Sequence, residues 1–318
     1  MSKKMNVPED SMSLRLLKVL EGSYRPDHYE AIRLADVARF NKLYLSYLRS
    51  IKDVFGEELS REEARYRWFM NNVYEVANVL KGFEYAFYKF RKPVDHVSVD
   101  LDIIISSKDI YKATRLLREK GFEVIVYEPY TITLARKSFI IDLYTQPSFA
   151  WIIYSDGEKL LKEYSEEIMI NNAVARALTI EAETAVSAAH AIYKEHMVLL
   201  IDCLTIWRWM NKKVWDIAYE LDIEKSVEKT IEICSLVRSG LAETPYRIDM
   251  TTLLETYIDK IFRDPLFRST ILNILKYLMK REDIGTIILN RIKRKSNNIQ
   301  KIFENITCEK IIYEILIC

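Results

Sequence analysis

Apolar residues recur at three- and four-residue steps over the first quarter of the chain: Leu14, Leu17, Leu20, then Ile32, Leu34, Val37, Phe40, Leu43 and Leu45. That period predicts amphipathic helices, with Gly22, Pro26 and Gly56 as punctuation. Ser60-Arg61-Glu62-Glu63 has the form of a capping box. The helix it would open carries Trp68, Val73, Val76, Val79 and Leu80 inward and ends near Gly82. The period then changes. Val97, Val99, Leu101, Ile103 and Ile105 alternate with Ser98, Asp100, Asp102 and Ile104, which predicts a strand. Ser106-Ser107 would cap a helix that runs to Lys120 and closes at Gly121. Strands are expected over 122–127, 130–136 and 138–144, with turns at Pro129 and Lys137-Ser138. From about Gly157 the pattern reads as helical to the end. Its clearest piece is 179–196, with Thr179 as cap and Ala182, Ala185, Ala188, Ala189 and Ala191 as a close-packing surface.

These elements predict an α+β fold. A small mixed sheet over 77–150 lies between a helical segment, 1–76, and a helical domain, 151–318. Hydrophobic residues make up 49% of 318, enough for a sizeable core. The formal net charge of +1 gives no global attraction to nucleic acid, so any polyanion site must be local. Cys203, Cys234, Cys308 and Cys318 are widely spaced and show no CxxC, which argues against zinc or a disulfide framework and fits a reducing cytoplasm. No apolar run approaches the ~18–20 residues of a membrane span. Two glutamines amid abundant Ile, Lys, Glu and Tyr lean towards a thermophile.

The chemistry concentrates on three carboxylates. Residues two apart on a strand share a face, so Asp100 and Asp102 project together while Val99, Leu101 and Ile103 turn to the core. Paired carboxylates repel unless a cation lies between them. Asp142 interrupts the apolar run Ile140-Ile141-Asp142-Leu143, where an unpaired charge is costly. If the two strands are neighbours, the three form a cage suited to Mg²⁺ or Mn²⁺. Against this, DxD alone is a weak signal and is usually a solvated strand face. His190 and His196, six apart, share no helix face and suggest no zinc site; pairing with Glu195 or Asp202, or lining the cleft, is expected of them. Trp207, Trp209 and Trp215 read as core, and Tyr127, Tyr130 or Tyr144 offers a surface for base stacking. Eight basic residues between Lys276 and Lys301, against Glu282 and Asp283, form a solvated helix face or an RNA contact.

"VLKG", "VDLDIII", a helix, "EKGFEV" and "IIDLY" together resemble nucleotidyltransferases of the DNA polymerase β superfamily. They are most similar to the group with LKG, DxD and a single later aspartate. The resemblance covers about residues 77–150 and extends loosely to about Trp209. It implies that Asp100 and Asp102 hold both of two metals, that Asp142 holds the catalytic metal and helps activate the acceptor, and that Gly82 admits the triphosphate; Lys81 beside it could serve as a cation at the phosphates, although a lysine at a helix end is by default solvated. The implied activity is Mg²⁺- or Mn²⁺-dependent transfer of a nucleoside monophosphate from an NTP to a hydroxyl on a small molecule, RNA or protein. Two positions depart from the pattern. Phe83 follows the glycine where serine or glycine is usual, and His96 stands where the closer group often has arginine. Both favour the alternative, a nucleotide- or RNA-binding protein that keeps the fold without catalysis.

Overall fold

A computed structural model describes residues 11–280. It is an α+β fold built on a mixed seven-stranded sheet. Helices α1 (Met12–Leu20), α2 (His28–Phe40) and α3 (Tyr44–Ser50) lead into the long α4 (Gly56–Val79). Then come β1 (Tyr85–Phe87), β2 (Asp100–Ile105), α5 (Ile110–Glu119), β3 (Glu123–Tyr127), β4 (Thr131–Arg136) and β5 (Phe139–Tyr144). After two short strands, β6 (Ser148–Phe149) and β7 (Ile152–Ile153), α6 (Gly157–Glu163) leads to β8 (Ser165–Ile170) and β9 (Ala173–Leu178). The rest is mainly helical: α7 (Ile180–His190), a π turn (Ala191–Glu195), β10 (Met197–Val198), α8 (Leu200–Trp209), α9 (Lys212–Glu220) and α10 (Glu224–Arg238). Strand β11 (Tyr246–Arg247) precedes α11 (Met250–Arg263), α12 (Pro265–Thr270) and α13 (Asn273–Lys280). Among the described residues no helix is long and apolar enough to cross a membrane.

The strand order is β3-β4-β5-β2-β1-β9-β8. β2 pairs in parallel with β5, and β1 in parallel with β9; the other neighbours are antiparallel. Alternation along β2 sends Leu101, Ile103 and Ile105 into a core shared with Phe69, Val73, Val76 and Leu80 of α4 and with Ala113 and Leu117 of α5. Ile104 joins a second core with Ala86, Tyr88, Tyr144 and the helices that follow β9. The sheet is thus covered on both faces, and Asp100 and Asp102 lie on the side of the C-terminal helices.

Several expectations need correction. The helical reading from Gly157 onward misses β8 and β9, which extend the sheet past residue 150. Their sequence, Ser165–Leu178, turns at Asn171-Asn172, and Asn171 takes φ 51°. An Asn pair between alternating segments is a hairpin signal. The capping box at Ser60 does not form. Helix α4 starts four residues earlier, the Ser60 hydroxyl donates to the Gly56 carbonyl at 2.9 Å, and Glu63 pairs with Arg49 at 2.7 Å. Phe69, not Trp68, enters the core; Trp68 is 38% exposed. Strand β2 begins at Asp100 rather than Val97. Of the three tryptophans read as core, Trp207 is partly buried against it, Trp209 is half-buried and Trp215 is exposed. Cys203 and Cys234 form a disulfide between α8 and α10, contrary to the reading of the cysteines as free. The Thr179 cap and the buried alanines of α7 are as expected, with the Thr179 hydroxyl accepting from the Ala182 N–H. Of the basic run, Lys276 and Lys280 lie in α13; the remainder falls outside the described residues.

Candidate metal centre

The parallel pairing of β2 with β5 sets Asp102 directly beside Asp142. Partners in register share a face, so Asp142 joins Asp100 and Asp102. One carboxylate oxygen from each of the three lies within 4.8 Å of the others. Asp102 is 6% exposed, and its Oδ1 is buried without a hydrogen-bond partner. Such an oxygen is costly unless something fills the space it faces. The other carboxylates are partly satisfied. The Ser98 hydroxyl donates to Asp100 Oδ1 at 3.2 Å, Thr133 Oγ1 to Asp142 Oδ1 at 2.6 Å, and the Tyr144 hydroxyl to Asp142 Oδ2 at 3.2 Å.

Cations arrive from outside the strands. Lys89 Nζ is 2.8 Å from Asp102 Oδ2, with the lysine side chain 14% exposed. Lys89 ends the run from β1 with φ 55°, a left-handed conformation uncommon for a residue with a Cβ. Its ammonium is also 3.3 Å from His190 Nε2 at the end of α7. His190 Nδ1 meets the Tyr154 hydroxyl at 3.1 Å, and that hydroxyl meets Tyr88's at 2.8 Å. Lys194, in the π turn, donates to the Tyr144 hydroxyl at 3.1 Å. π turns inside helices often occur at functional sites. Lys89 and Lys194 carry no sequence-pattern signal. His190 was visible as a histidine on a helix, and its expected pairing with Glu195 is present at 3.2 Å.

The electrostatics follow from this geometry. Burial works to raise the Asp100 carboxyl, but Lys89, Lys42, Lys194 and the Ser98 hydroxyl outweigh it and hold it below its ordinary range. Asp102 is raised by burial and by the Asp100 charge, with Lys89 opposing. Asp142 is pushed up to about 6 by burial and by the charges of Asp102 and Asp100. Burial and the positive charge of Lys92 and Lys42 push His96 down to about 3, so it is neutral at pH 7. A cavity of about 10 Å³ lies between Lys89, Phe90, His96, Ser98, Asp100 and Asp102. It has room for about one water or ion.

Lys81 and Gly82 stand apart from this cluster. Glu84 pairs with Ser106, beyond the C-terminal end of β2, whereas Asp100 begins that strand. The length of β2 puts them about 16 Å from Asp100. Gly82 takes φ +88° just after α4, where it ends the helix, and a Cβ there would meet nothing within 4 Å. Tyr127 is exposed and pairs with the Tyr111 hydroxyl at 2.8 Å, away from the carboxylates, whereas Tyr144 touches them.

A divalent cation fits the donor set. Three carboxylates supply hard oxygen ligands, and the orphaned Asp102 Oδ1 lacks the partner such an ion would provide. No family model matches the chain, and the comparison with curated proteins found no match.

Proposed function

We propose that the protein is a Mg²⁺- or Mn²⁺-dependent nucleotidyltransferase that moves a nucleoside monophosphate from an NTP to a hydroxyl. The observation that carries this reading is the convergence of Asp100, Asp102 and Asp142 from two neighbouring parallel strands to within 4.8 Å. Asp100 and Asp102 would hold the metal, and Asp142 would complete the set. A bound dication would supply positive charge at the transferring phosphoryl group and polarise its oxygens. Asp142, which accepts from the Thr133 and Tyr144 hydroxyls, would favour deprotonation of the acceptor hydroxyl. Ser98 and Thr133 fix two of the carboxylates by hydrogen bonds, which limits their rotation. Because the cavity beside them is only about 10 Å³, the base and sugar would lie outside it. Gly82 is too far from Asp100 for the phosphate role that the resemblance implies, and Lys81 is too far to serve as the cation there. The turn at Lys89 is the backbone segment close to the carboxylates.

The same narrow cavity and the Lys89–Asp102 ion pair favour a second reading, a nucleotide- or RNA-binding protein that keeps the fold without catalysis. One experiment separates the two. The protein is incubated with each α-labelled NTP and Mg²⁺ or Mn²⁺, alone, with total RNA and with protein extract. The Asp100→Asn/Asp102→Asn protein is the control. Transfer of label that the double variant loses supports catalysis. Nucleotide binding without transfer under any condition supports the second reading.

A further inference from the structure

Resting on the proposed metal site, we infer that Lys89 is a resident cation that fills one of two cation positions, so that the three aspartates take a single divalent ion. Two-metal phosphoryl-transfer sites hold ions about 3.5–4 Å apart, bridged by shared carboxylates. Here one such place is taken. The Lys89 ammonium sits 2.8 Å from Asp102 Oδ2 in a largely buried position. The other oxygen of the same carboxylate, Oδ1, is buried and without a partner. Asp102 thus gives one oxygen to Lys89 and keeps the other without a hydrogen-bond partner.

A second dication beside Asp102 Oδ2 would have to displace the Lys89 ammonium from it. The displaced ammonium would lose its ion pair with Asp102 and keep the His190 ring, 3.3 Å away, and the face of Tyr88. The backbone agrees with a fixed lysine. Lys89 takes φ 55°, uncommon for a residue with a Cβ, at the turn that brings its ammonium to Asp102. Lys89 is thus a positioning residue: it occupies Asp102 Oδ2 and leaves Oδ1 to the metal.

The test is a Mn²⁺ titration of the full-length protein followed by electron paramagnetic resonance, with no nucleotide present. Wild type should bind one Mn²⁺, Lys89→Met two, and Lys89→Arg, which keeps a cation, one. Two ions on wild type, or one ion on Lys89→Met with an affinity within twofold of wild type, overturns the inference and leaves the metal site standing. No ion on wild type removes the metal site and the inference with it. Should Lys89→Met fail to fold, wild-type crystals soaked in MnCl₂ decide the matter. A single anomalous peak with Lys89 still on Asp102 supports it. Two peaks with Lys89 displaced overturn it.

Discussion

Replacing Asp142 with asparagine should stabilise the metal-free protein at pH 8 and lose that advantage in acid. The Asp142 carboxyl lies at about 6 in the fold against an ordinary 3.8, because it is buried beside Asp102 and Asp100. The folded protein therefore holds its proton more tightly than the open chain does. Stability falls as pH rises from 3.8 to about 6 and stays lower above that. At about 1.4 kcal/mol per pH unit, ionising this group costs the fold ~3 kcal/mol. Part of that cost belongs to the Asp102–Asp142 pair rather than to either residue alone. Asparagine keeps an acceptor for Thr133 and turns a donor towards Tyr144, whose hydroxyl already accepts from Lys194. Rearranging that contact costs about 1 kcal/mol. A net gain of ~1–2 kcal/mol at pH 8 remains, or a few degrees in melting temperature. The assay is a pair of melting curves, wild type and variant, in EDTA at pH 8 and at pH 4. An equal difference between the two proteins at both pH values would refute the assignment of repulsion to this site.

Saturating Mg²⁺ or Mn²⁺ should stabilise wild type by about 1–3 kcal/mol, and a melting curve of Asp100→Asn/Asp102→Asn should show no such response. Lys92 is 3.9 Å from Glu183, a fully buried carboxyl pushed up to about 7 by burial. Lys92→Met should therefore cost about 1–3 kcal/mol, more at pH 8 than at pH 6, as denaturant titrations at the two pH values would show. A Cβ on Gly157 would meet the Thr145 carbonyl oxygen at 2.5 Å, beside Tyr144 of the site. Gly157→Ala should therefore destabilise by about 1–3 kcal/mol, read by urea midpoint. Replacing both Cys203 and Cys234 with alanine removes a cross-link over 31 residues and should cost about 3 kcal/mol, whereas a dithiothreitol-insensitive melting temperature in wild type would argue that the bond adds little.

What the sequence disclosed and what it concealed follow from how far each signal reaches. The period of two along 100–105 and 139–144 places Leu101, Ile103, Ile141 and Leu143 in one core and the aspartates opposite, as the structure has them. Gly121 and Thr179 mark helix ends through bonds within one turn, so they were legible. Strand β8 was hidden because it lies at the sheet edge, with Glu166, Glu167 and Met169 exposed, so its alternation is diluted. Strand β1 has three residues, all buried, and shows no alternation of polar and apolar positions. The disulfide joins two helices whose approach depends on how α7 packs against α8 and α10, which no spacing rule encodes.

The site divides in the same way. An acid in an apolar run announces itself, because burial without compensation is costly wherever the chain folds. Compensation is different. It acts through space, and here it comes from Lys89 after β1, Lys194 in the π turn and Lys42 after α2, across a sequence span of about 150 residues. None of these lysines is unusual in its local sequence. Lys81 beside Gly82 looked like the phosphate-side cation because it adjoins the glycine. In three dimensions, strand β1 carries that glycine to the far end of β2 and brings Lys89 to the aspartates. Lys89 is held there by its ion pair with Asp102, which makes the carboxylates and their cation one unit that the sheet and the C-terminal helices assemble together.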